Sequence, residues 1–172
     1  MRIRQIFVSA GHNYFGHHGQ APDDHPPIAV ERIECIAGRG IRGDRFYDFS
    51  EDYKGQITFF SAEVFESLAR TLNVPSKSAG VLRRNVIVSG VDLNALIGKE
   101  FELQGVRFRG TAHCKPCHWL NQAFAEGTEQ FLKDNGGLRA QILTDGTIAV
   151  GEAELLILPK QDYPKKAKSV GS

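Results

Sequence analysis

The sequence predicts a β-rich α+β fold: one compact domain with a curled, barrel-like, mostly antiparallel sheet and two or three short helices. Three observations carry this. About eight short apolar runs have strand length or strand alternation. Gly-rich or turn-forming signals separate several of them: GRGIRG at 38–43, Gln104-Gly105 and Asp145-Gly146. The helical periods are few and brief.

Along the chain, Ile3 to Val8 is a strand. The segment GHNYFGHHGQAPDDHPP that follows has no period and reads as a long loop. Ile28 to Ile36 alternates Val30, Ile33 and Ile36 with Glu31, Arg32 and Glu34, the pattern of a half-buried strand. GRGIRGDRF is then a tight turn able to present backbone amides. Ile57 to Phe60 is a short strand, and Ser61 is placed to cap a helix running to about Leu72. Val64, Phe65, Leu68 and Leu72 share one face of that helix, and Asn73-Val74-Pro75 stops it. Asn85 to Val88 is a strand. Residues 101–103 and 106–108 form a hairpin around Gln104-Gly105. Residues 141–143 and 148–150 suggest a second hairpin around Asp145-Gly146. Cys117 to Lys133 reads as two short helical pieces, and Leu155 to Leu158 as a last buried strand.

The chain has 172 residues, 41% hydrophobic and 24% charged, with net charge +1. That length suits one domain, here placed at 1–160, with a basic, flexible tail at 161–172. A near-neutral balance gives no electrostatic reason to expect nucleic acid as a partner. No run approaches the roughly 18 apolar residues of a membrane span, and no secretory signal opens the chain. Cys35, Cys114 and Cys117 do not suggest a disulfide framework. A cytoplasmic protein with reduced thiols and no membrane partner is expected.

The densest chemistry lies in HCKPCHW, residues 113–119. Cys114 to His118 matches the C-x-x-C-H of covalent haem attachment, but the cytoplasmic setting and the hairpin context oppose that use. Zinc would need four ligands, and Cys114 and Cys117 would have to recruit His12, His17, His18 or His25 from the first loop. That combination describes a non-catalytic, zinc-stabilised interaction module. Cys114 and Trp119 otherwise read as core residues. Cys117 follows a proline and opens a helical stretch, where a thiolate is favoured and can attack sulfur or bind a soft metal.

The order of GIRGDRF, KGQITFFS, RRNVIVSGVDLNALIGKEFELQGVRFRG, Pro116-Cys117 and GGLRAQILTDGTIAVGEAELLIL resembles the MOSC domain. This module forms the C-terminal part of molybdenum cofactor sulfurase and also occurs as single-domain bacterial proteins. The resemblance spans roughly residues 28–158. It implies a barrel-like fold and a pocket with one key cysteine, here Cys117, that carries sulfur as a persulfide or ligates molybdenum. It also implies that Gly43, Asp44, Arg45, Arg83, Arg84, Asn85 and Arg139 bind the cofactor, molybdopterin. Arginines suit its phosphate, and Asn85 could read a pterin edge. Lys54 and Gln56 are weaker candidates. Side-chain alternation in a strand-like segment would let at most one of Arg83 and Arg84 face the pocket.

In the full sulfurase a pyridoxal-phosphate-dependent desulfurase domain generates the sulfur. This chain has no room for one, so a separate cysteine desulfurase is the expected donor. The alternative activity is molybdenum-dependent reduction of N-hydroxylated substrates, which would require an electron-transfer partner. Whether the chain is a sulfurtransferase or an oxidoreductase stays open at this point.

Overall fold

The computed structural model describes residues 1–14 and 19–159. The strands are β1 (Arg2–Val8), β2 (Ile28–Val30), β3 (Arg32–Ile36), β4 (Gly40–Ile41) and β5 (Ile57–Ser61), followed by helix α1 (Ala62–Thr71). After β6 (Val86–Ser89) come β7 (Glu100–Leu103), β8 (Val106–His113) and the short helices α2 (Trp119–Ala123) and α3 (Thr128–Phe131). The chain then forms β9 (Leu138–Ile142), β10 (Gly146–Ala149), β11 (Gly151–Glu152) and β12 (Leu155–Ile157).

The large sheet runs β11-β1-β6-β5-β9-β8-β7-β12, with β2 added to β1. All its strand pairs are antiparallel except β5 with β6. Only Ala153 and Glu154 separate β11 from β12, so the chain joins the two ends of the sheet. No ladder between described residues closes them, however, and the sheet is open rather than a barrel. The physical reason is local. β11 has two residues, and among the described residues β12 pairs with β7 alone, its Leu156 and Ile157 being 44% and 55% exposed. β12 is therefore an edge strand and not the buried strand expected.

β10, β3 and β4 form a separate three-stranded sheet. Two further expectations change here. Ile28 to Ile36 breaks at Glu31, β2 joining the large sheet and β3 the small one. The Asp145-Gly146 turn does not fold β10 back on β9. β10 pairs with β3 over Gly146–Ala149, while β9 is already paired on both edges, with β5 and with β8. The Gln104-Gly105 hairpin forms as expected, with positive φ at both residues (49° and 82°), the geometry of a two-residue turn that matches strand twist.

β5, β6 and the C-terminal end of β1 are covered on both faces. Ile6, Phe59, Val86 and Val88 point into the core enclosed by the sheets, whereas Phe7, Phe60 and Ile87 point into a second cluster with α1, α2 and α3. That is why β5 and β6 read as largely apolar runs rather than as alternation, whereas β1 keeps Arg2, Arg4 and Gln5 exposed and becomes an apolar run only at Ile6 and Phe7. α1 begins where expected: the Ser61 hydroxyl accepts from the Val64 N–H at 3.2 Å. Leu68 and Ala69 are buried, and Val64, Phe65 and Leu72 pack beside them. Asn73, at φ 54°, takes the left-handed conformation that ends the helix.

Candidate functional site

A cavity of about 160 Å³ lies beside the second cluster, where the β8–α2 loop meets the segment before β6. Arg45, Arg83, Arg84, Arg139 and Lys115 line it, together with both Cys114 and Cys117. Among the described residues no Asp or Glu is in the lining. Five cationic side chains around so small a space is an arrangement that attracts an anion.

The arginines are positioned by backbone carbonyls. Arg83 donates to the carbonyl oxygens of His25 (2.9 Å) and Gly11 (2.6 Å) and to Ser9 Oγ (3.0 Å). Arg84 Nε donates to Gly136 O and its Nη1 to Leu82 O, both at 2.9 Å. Arg45 donates to Arg83 O at 3.0 Å and lies over the Phe46 ring. Arg139 has no hydrogen-bond partner for its guanidinium among the described residues. Carbonyls fix direction but carry no full charge, and Asp44, 3.5 Å from Arg45, offsets the cluster only in part, so burial and mutual repulsion are felt. Burial, and then the neighbouring Arg45, push Arg83 down to about 10, with Asp44 and Tyr14 opposing. Burial likewise lowers Arg45, against the pull of Asp44.

Both Arg83 and Arg84 line the cavity, against the alternation argument. Arg83 is not in a strand. It ends the 3₁₀ turn Ala79–Leu82 in the left-handed conformation, φ 57°, and β6 starts only at Val86. The turn re-aims the chain so that consecutive side chains reach the same space.

Gly43, Asp44 and Asn85 are not in the lining. They form the scaffold behind it. Asn85 is 2% exposed. Its Oδ1 accepts from the Thr58 N–H and Oγ1, and its Nδ2 donates to Phe7 O and to Asp44 Oδ1. Those four bonds use its full capacity, leaving nothing to read a ligand. Asp44 accepts from Ser9 N, Phe46 N and Asn85 Nδ2, and lies 3.5 Å from Arg45 Nη1. The amides of the glycine-rich turn do not face a ligand: Asp44 N–H bonds Ile41 O and Arg45 N–H bonds Ser9 O. Gly43 is exposed and supplies the positive φ (82°) that turns Asp44 inward. Gln56 is buried and bonded to Gly38 O and Ile142 N–H, and Lys54 is exposed outside the cavity.

The two cysteines differ. Cys114 is 2% exposed, and its N–H bonds Gly137 O at 2.8 Å, extending the β8–β9 ladder. Cys117 is exposed at the rim. It precedes His118, the N-cap of α2, which has five residues, too few for the helix-dipole effect expected of a longer helix. Among the described residues no three His, Cys, Asp or Glu side chains gather as metal ligands. His17 and His18 lie outside those residues, as does the tail 161–172. The first loop instead reaches the site through the carbonyls of Gly11 and His25 on Arg83.

The aromatic half of the lining was not anticipated as a site. Tyr14 stacks on Trp119 (centroids 5.1 Å apart), and Phe46 on Tyr53 (5.0 Å). Trp119, which the sequence marks as a core residue, is both 9% exposed and a cavity wall. The Arg45-Phe46 and Cys117-x-Trp119 adjacencies were the available signal.

The MOSC domain family model matches residues 17–153, which includes every cavity residue except Tyr14. The chain belongs to the MOSC domain family. The MOSC fold recurs in YuaD from Bacillus subtilis: TM-score 0.74, 17% identity, 92% of this chain and 96% of that one covered. YiiM from Escherichia coli matches with TM-score 0.64 at 16% identity over 94% of this chain and 71% of that one. YiiM from Geobacillus stearothermophilus gives 0.65 at 15% over 92% and 75%. At these identities the likeness concerns the fold. No curated protein matches the sequence. Among the described residues of this MOSC protein no helix is long and apolar enough to cross a membrane.

Proposed function

We propose that the cavity binds molybdenum cofactor or a related sulfurated species, with Cys117 as the persulfide sulfur carrier or molybdenum ligand. The observation that carries this is the ring of four guanidiniums and one ammonium, with no carboxylate among the described lining residues and an exposed thiol at its rim. The residues fit the group. Arg45, Arg83, Arg84 and Arg139 offer directed donors to a terminal phosphate, and the Tyr14–Trp119 and Phe46–Tyr53 stacks offer flat faces to a pterin. When bound, the group supplies a sulfur-ligated metal able to exchange a terminal ligand.

The chain's own contribution is separable. The carbonyls of Gly11, His25, Gly136 and Leu82 hold Arg83 and Arg84 rigid before a ligand arrives, so little side-chain entropy is lost on binding. Buried aromatic and apolar walls, Trp119 and Leu120 among them, exclude water and strengthen each charge contact. Cys117, exposed, can meet a donor such as a cysteine desulfurase without opening the fold. The sulfur-carrier version needs no electron supply to a metal, and the presence of a second thiol in the same cavity favours it over the reductase version.

Native mass spectrometry of the protein purified from its own host, with peptide mapping, tests this. One added sulfur, or a molybdopterin, mapped to Cys117 and absent from Cys117→Ser supports it. Unchanged sulfur or molybdenum binding in Cys117→Ser defeats it.

A further inference from the structure

We propose that Cys114 is a second catalytic thiol of this cavity: it resolves a persulfide on Cys117, so that the outer sulfur leaves as sulfide and a Cys114–Cys117 disulfide forms. This step rests on the sulfur-carrier reading of Cys117.

The chemistry requires a partner thiol. The outer sulfur of a persulfide is at the zero-valent level and must gain two electrons to leave as sulfide. Cys117 alone cannot supply them without becoming electron-deficient. Attack by Cys114 Sγ on Cys117 Sγ forms the Sγ–Sγ bond and breaks the bond from Cys117 Sγ to the outer sulfur. That sulfur departs with the bonding pair and takes up the proton that Cys114 gives up. The balance is Cys117–S–SH plus Cys114–SH giving the disulfide plus H₂S. The two cysteine sulfurs lose two electrons together and the outer sulfur gains two. An external dithiol of the thioredoxin type then restores both thiols.

The structure divides the labour in the way this step needs. Both cysteines border the same cavity, three positions apart, on either side of Lys115-Pro116. Cys117 is exposed and open to a sulfur donor. Cys114, at 2% exposure, is shielded from one. The attacking residue is also held still. Its N–H bonds Gly137 O, and Gly136 packs so closely that a Cβ there would stand 2.0 Å from Cys114 O. Cys114 shares the lining with Arg45, Arg84 and Tyr53, which places it on the cationic side of the cavity. The guanidiniums there favour an anionic leaving group. Cys35, in contrast, lies in the enclosed core, its thiol pushed up to about 12 by burial, and takes no part.

The test loads the full chain with inorganic polysulfide, removes the excess, and follows released sulfide and intact mass. Cys114→Ala and Cys114→Ser are run beside wild type, and peptide mapping of wild type gives a readout that needs no variant. The expected wild-type result is one sulfide released per chain and a Cys114–Cys117 disulfide, two hydrogens lighter than the reduced protein. In both variants Cys117 should keep its extra sulfur and release sulfide about tenfold more slowly. A wild-type persulfide on Cys117 as long-lived as in the variants, with no disulfide, overturns the role of Cys114 and leaves the carrier reading intact. No sulfur on Cys117 in wild type or either variant overturns both.

Discussion

Two sets of arginines in this molecule are held in opposite ways. On the surface, Arg2, Arg42, Arg107 and Arg109 each meet a carboxylate, Glu152, Glu34, Glu102 and Glu100, at 2.6 to 3.3 Å, and Arg39 forks onto Asp48. Around the cavity, Arg83 and Arg84 are held by carbonyls and a hydroxyl, and Arg45 touches one carboxylate, Asp44, at the long distance of 3.5 Å. The first set is neutralised and solvated, so each pair adds little to stability. The second is oriented but left charged. The cavity arginines are therefore oriented by neutral acceptors and only partly offset by Asp44, an arrangement that leaves a positive potential in the cavity.

The contrast can be broken or sharpened at several points. The largest effect belongs to Cys117→Ser, which should abolish retention of sulfur or molybdenum while leaving phosphate binding intact, measured by elemental analysis beside calorimetry with inorganic phosphate. Parallel loss of phosphate binding would mean that the thiol and the arginines do not act as separate parts.

Next comes the scaffold. Asp44→Ala strips the acceptor from Ser9 N–H, Phe46 N–H and Asn85 Nδ2 and the nearest carboxylate from Arg45. It should lower unfolding stability by about 3 kcal/mol. A urea midpoint corresponding to a loss below about 1 kcal/mol would show that the buried network is dispensable.

Arg139→Gln should weaken inorganic phosphate binding about tenfold, the worth of one charge-assisted contact, with no loss of stability, since no hydrogen bond among the described residues is given up. Surface Arg42→Ala should change phosphate affinity not at all and stability by no more than about 0.5 kcal/mol. Equal effects of the two substitutions on phosphate binding would erase the comparison.

The smallest effect concerns pH. Burial first, then the Arg45 and Arg83 charges, lower the pKa of His12 from its ordinary 6.5. The unfolded chain therefore binds the proton before the folded one does. Stability is complete above about 6.5 and falls as the pH drops through that value toward the folded pKa. His12→Gln should flatten the decline in melting temperature between about pH 7.5 and 5.5. An unchanged decline would remove His12 from the electrostatics of the cavity.

The fold was more legible than the site. The α1 cap at Ser61, the Gln104-Gly105 hairpin and the two short helices after Cys117 follow from contacts between residues close in sequence. The partner of β10 did not follow, because its choice of β3 depends on β9 being occupied on both edges by β5 and β8. At the site, Cys117, Arg45, Arg83, Arg84 and Arg139 converge. Asn85 and Asp44 have the chemistry of ligand readers, but β1 and β5 absorb their hydrogen bonds through Phe7, Ser9 at the end of β1, and Thr58. Residue type alone cannot separate a polar group aimed at a ligand from one that satisfies a buried neighbour.

By itself, then, the sequence determined the elements whose period, caps and turns are set within a few residues, and the identity of the thiols and arginines available to a site. The tertiary structure alone decided which of them meet. A left-handed residue at Arg83 turned two successive arginines into one cavity, and the sheet expected to be curled and barrel-like is not closed by any ladder among the described residues. Both outcomes depend on pairings and packing between residues far apart in the chain, where local preferences are overridden by what the neighbouring strands leave free.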